Sequence, residues 1–75
     1  MDNKLKEAIT LKAARINADL TRSEVKRRLK DEYNIEISVN TLANYERKKG
    51  TQPDITTGKA LAAIFGRSVD DIIFL

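Results

Sequence analysis

The chain has 75 residues, enough for one domain whose core is barely large enough to stand alone, and it holds no Cys and no His. That excludes disulfides, thiolate or imidazole catalysis and thiolate zinc sites, so neither an enzyme nor a metal or cofactor site is expected. Lys and Arg number 14 against 11 Asp and Glu, and the net charge of +3 is unevenly placed: residues 1–30 carry nine cations and four anions, which suits a polyanionic partner, although solvated helix faces account for such an excess equally well.

Residues 1–8 read as an N-terminal arm, with Leu5, Ala8 and Ile9 also able to extend a first helix; residues 9–75 read as the domain. Thr10 caps a helix over residues 11–18 that puts Leu11, Ala14 and Ala18 on one stripe with Arg15 beside it. Thr21-Arg22-Ser23-Glu24 fits a capping box, and Val25, Leu29 and Tyr33 then recur at i, i+4 and i+8 as the apolar stripe of a second helix. Asn34 suits its end. Ile35-Glu36-Ile37 follows as a connector whose alternation also fits a short strand.

Ser38 is a good N-cap for a third helix. Val39, Leu42 and Tyr45 fall on one face of it, Asn40, Ala43 and Asn44 on another, and Arg47, Lys48 and Lys49 close it. The clearest loop, Gly50-Thr51-Gln52-Pro53-Asp54, holds the only proline. Beyond it Thr56 or Thr57 caps a fourth helix with Leu61, Ile64 and Phe65 inward and Gly66 at its end, and Ser68-Val69-Asp70-Asp71 opens a last short helix carrying Ile72 and Ile73. The longest apolar run, residues 60–65, is far short of the ~20 residues that span a bilayer, and no signal peptide follows Met1; no membrane role and a cytoplasmic location are expected.

The third helix carries the chemistry. Asparagine pairs with the N6/N7 edge of adenine in the major groove, and Lys or Arg supplies phosphate contacts. Taken alone, Asn40 and Asn44 read equally as solvated surface residues, and cations at a helix C-terminus are favoured by the macrodipole alone, by ~0.3–1 kcal/mol each.

Leu11-Lys12-Ala13-Ala14-Arg15, Thr21-x-x-Glu24-Val25, Ser38-x-x-Thr41-Leu42-x-Asn44-Tyr45-Glu46, Pro53-Asp54 and Ser68-Val69-Asp70-Asp71-Ile72-Ile73 together resemble the Cro and phage-repressor type of helix-turn-helix domain, the XRE-like family. The resemblance covers residues 9–75 and implies an all-α, compact five-helix bundle of the lambda-repressor-like type. In it the third helix docks in the major groove and the second lies across the backbone. By motif position, Val39, Asn40, Ala43 and Asn44 are the implied base-reading residues, while Arg22, Thr41, Arg47, Lys48 and Lys49 are the implied backbone contacts. Arg15 and Glu46 are implied to form a structural ion pair.

The chain departs from the family pattern in three places. Lys26 stands where a small residue is usual; residues 30–37 lengthen the second helix and its turn; and the segment from Glu46 to Pro53 is one residue longer, with Arg47-Lys48-Lys49 enlarging the basic cluster. The implied function is a sequence-specific transcription regulator of phage or prophage kind, binding a double-stranded operator as a homodimer through Ile72, Phe74 and Leu75. A chain ending near Leu75 looks more like a small Cro-like regulator than a two-domain repressor. The alternative is a protein-binding antirepressor or corepressor that keeps the fold and acts on a partner repressor.

Overall fold

A computed structural model describes residues 9–47 and 50–73. The arm assigned to residues 1–8, and Lys48, Lys49, Phe74 and Leu75, lie outside the described residues. In chain order the elements are β1 (Ile9–Thr10), α1 (Leu11–Asn17), α2 (Arg22–Tyr33), α3 (Val39–Glu46), α4 (Ile55–Ile64), a 3-10 turn (Val69–Asp71) and β2 (Ile72–Ile73).

Each helix starts on a side-chain cap that takes an otherwise unpaired backbone N–H. Thr10 accepts from the Ala13 amide at 3.1 Å and opens α1. Thr21 accepts from the Glu24 amide at 3.1 Å while the Glu24 carboxylate accepts from the Thr21 amide at 2.8 Å, a closed capping box for α2. At the far end Asn34 adopts the left-handed region, φ 57°, and the Ile35 N–H bonds back to the Leu29 carbonyl at 3.0 Å, so a residue that tolerates positive φ stops the helix. Ser38 caps α3 through the Thr41 amide at 3.0 Å.

The core forms where these helices meet: Leu11, Val25, Leu29, Leu42 and Leu61 are its largest fully buried side chains. Fully burying such an aliphatic side chain contributes about 1.5–3 kcal/mol. Because α2 packs against both α3 and α4, it fixes the platform on which α3 sits.

Four expectations are corrected. The bundle has four α-helices among the described residues, not five, and it is mostly helical rather than wholly so. Ser68 caps only one 3-10 turn, after which Ile72 and Ile73 extend and pair in parallel with Ile9 and Thr10, as β-branched residues favour. Ile72, assigned to a dimer contact, is accordingly 6% exposed in the core of its own chain. Asp54, not Thr56 or Thr57, caps α4 by accepting from the Thr57 amide at 3.3 Å; Asp is the stronger cap, and the earlier start places Thr57 in the buried interior. Tyr33 does not continue the buried stripe of Val25 and Leu29: it is 41% exposed and lines a shallow groove with Ile35, Ile55, Thr56, Lys59 and Ala60.

Candidate nucleic-acid interface

Helix α3 has eight residues and two unlike faces. Leu42 is fully buried, with Val39 and Tyr45 half-buried on either side of it along the helix; Asn40 and Asn44 are exposed, with Ala43 half-buried between them. The buried side fixes the helix to the core, which leaves the two carboxamides presented outward on one rigid element. Thr41 is half-buried, and its hydroxyl oxygen accepts from the Ser38 hydroxyl at 3.0 Å.

The end of α3 is fixed by charge. Glu46 has a side chain only 1% exposed, a costly position for a carboxylate unless it is paired and hydrogen-bonded. Arg15 of α1 meets it as a fork, Nε to Oε2 at 2.7 Å and Nη2 to Oε1 at 3.3 Å, while Arg15 Nη1 donates to the Leu20 carbonyl at 2.9 Å. Arg22, the first residue of α2, adds a second guanidinium: its Nε and Nη2 both lie 3.0 Å from Glu46 Oε1. One carboxylate therefore ties together α1, the start of α2 and the end of α3. Among the described residues no buried side-chain nitrogen or oxygen lacks a partner.

Beyond Glu46 the chain turns sharply. Arg47 is exposed, and its Nη1 donates to Asn44 Oδ1 at 3.2 Å while its backbone N–H bonds the Asn44 carbonyl, also at 3.2 Å. Gly50 folds back against the same carbonyl so closely that a Cβ there would collide with the Asn44 oxygen. Tyr45 packs on the core, and burial, with Asp54 nearby adding to it, pushes its hydroxyl above the usual phenol range. Lys26 is exposed, so this longer side chain is accommodated by pointing to solvent where the family pattern has a small residue.

The structure thus brings Asn40, Ala43 and Asn44 to one surface with Arg47 at its edge, and it brings Arg15 and Glu46 together. It draws Arg22 to Glu46 as well, a link that the sequence does not indicate. The only sequence signal for it is an arginine at the first position of a capped helix, and no spacing rule connects that position to residue 46. The close approach of Gly50 to Asn44 likewise has no sequence signal beyond the place of this glycine in a loop. Among the described residues no group of three His, Cys, Asp or Glu is placed to hold a metal ion, and no helix is long and apolar enough to cross a membrane.

No curated protein and no solved structure matches the chain. A family model described as helix-turn-helix matches residues 11–72, from the first residue of α1 to the first of β2. The chain belongs to the Cro and repressor type of helix-turn-helix domains, the XRE-like family of DNA-binding regulators.

Proposed function

We propose that this protein is a sequence-specific transcription regulator of phage or prophage origin, Cro-like or repressor-like, that acts in the cytoplasm by binding an operator. Residues 9–75 act as the DNA-binding unit and residues 1–8 as an arm. The observation that carries this reading is the outward face of α3, where Asn40 and Asn44 stand exposed on a helix anchored at both ends by Ser38 and Glu46. In the major groove Val39, Asn40, Ala43 and Asn44 read base edges, and Thr41, Arg47, Lys48 and Lys49 contact phosphates. Two protomers bind adjacent half-sites, with Phe74 and Leu75 supplying the apolar contact between them. A mobility-shift titration on the intergenic DNA flanking its gene, against a scrambled duplex, tests this.

A second reading, a protein-binding antirepressor or corepressor on the same fold, is favoured by one observation. Ile55 is 75% exposed beside Tyr33, an apolar pair that DNA binding does not use. It predicts a protein that leaves duplex DNA unshifted and shifts a repressor–DNA complex instead.

A further inference from the structure

We infer that Glu46 is a positioning residue for Arg22, holding its guanidinium ready for a DNA phosphate, an inference that rests on the DNA-binding reading. A guanidinium has five N–H donors in a rigid plane. Glu46 Oε1 faces only one edge of that plane, with Nε and Nη2 each 3.0 Å away. Among the described residues Nη1 meets no acceptor, and the Arg22 side chain as a whole is 37% exposed, so the guanidinium keeps donors for a further acceptor. Charge points the same way. Arg15 matches the carboxylate with a fork of its own, and the cluster of two guanidiniums and one carboxylate retains one positive charge for a polyanion.

The anchoring affects binding because a free arginine is rotamer-rich and must be ordered when it contacts a ligand. An arginine already held by a buried carboxylate loses less on binding. Lysine at the same position keeps the charge but cannot present one edge to Glu46 and another to a phosphate. The Arg22→Lys change therefore removes the orientation while keeping the electrostatics.

Affinity for a random-sequence DNA duplex is the appropriate readout, since phosphate contacts need no operator. In the wild-type background Arg22→Lys weakens binding about threefold to tenfold with the salt slope unchanged, whereas Arg22→Gln lowers that slope by about one. In a background of Arg15→Met with Glu46→Met, checked for folding by circular dichroism, the Arg22→Lys loss disappears. An undiminished loss in that background overturns the inference alone, while a wild type that binds no duplex overturns the DNA-binding reading with it. Should that background fail to fold, the wild-type Arg22 Nε–H signal in nuclear magnetic resonance decides: an ordered, slowly exchanging proton in the free protein supports the anchoring, and an averaged, rapidly exchanging one refutes it.

Discussion

Arg15 Nε stands 2.7 Å from Glu46 Oε2, across 31 residues of sequence, with the two side chains 11% and 1% exposed. At that burial the pair is not a surface salt bridge of negligible worth; each charge depends on the other for the solvation it has lost.

Removing the carboxylate should therefore be severe. Glu46→Gln leaves the buried Arg15 without its counter-charge, at a cost of about 3–5 kcal/mol, a large part of the stability of so small a domain. Arg15→Met should cost less, because Arg22 still faces the carboxylate. Thermal or denaturant melts of both variants and of the double variant measure this. A coupling energy near zero would show that the pair does not hold α1 to α3.

Acid should weaken the fold through its caps. The Thr21 amide and hydroxyl hold Glu24 below its ordinary value of 4.5, and the Thr57 hydroxyl and amide hold Asp54 below 3.8. A carboxylate whose folded pKa is depressed stabilises the fold above its unfolded value and loses that contribution as pH falls through the folded one. Melting temperature should accordingly begin to fall below about pH 5, as these groups start to protonate. Glu24→Gln with Asp54→Asn keeps cap-competent side chains that do not titrate, and should flatten that acid slope. An unaltered slope in the double variant would exclude these carboxylates as its source.

Gly50 should tolerate no side chain. A Cβ there collides with the Asn44 carbonyl oxygen and forces the loop off the end of α3, where Asn44 and Arg47 sit. Gly50→Ala is expected to lose affinity for DNA and to shift the Asn44 and Arg47 amide resonances, with the α1–α2 signals little changed. A spectrum and affinity like those of the wild type would show that the close approach is not maintained in solution.

Much of this fold was legible because caps and periodicity are local. Thr10, the Thr21–Glu24 box, Asn34 and Ser38 each act within a few residues, and they place the starts of α1, α2 and α3 and the close of α2; α3 itself ends at Glu46, with Arg47 extended, rather than running on into the cations expected to close it. The sequence failed where distant partners decide. Ile72 and Ile73 resemble the tail of a last helix until Ile9 and Thr10 provide a strand to pair with. The cap of α4 is a different case, a local one: Asp54 closes the loop segment and competes with Thr56 and Thr57, and as the stronger cap it starts the helix. At the interface, helical spacing gave the outward face of α3, but nothing local indicates that Arg22 also turns toward Glu46.

Reading and anchoring should separate by mutation. Asn40→Ala or Asn44→Ala should cost roughly 1–3 kcal/mol on the preferred site and leave non-specific binding nearly intact. Arg47→Ala should do both kinds of damage, since its guanidinium also holds Asn44 Oδ1 at 3.2 Å. Binding titrations on operator and scrambled duplexes distinguish these, and equal losses on both for the asparagine variants would remove them from base reading.

The central claim, that α3 presents a DNA-reading face on a basic domain, is tested most directly by titrating the wild-type protein against its flanking intergenic DNA and a scrambled duplex over a range of salt. With about four phosphates neutralised per protomer, log affinity should fall with log salt at a slope of about −3 to −4, and the intergenic duplex should bind more tightly throughout. A flat salt response, or equal affinity for the two duplexes, would contradict it.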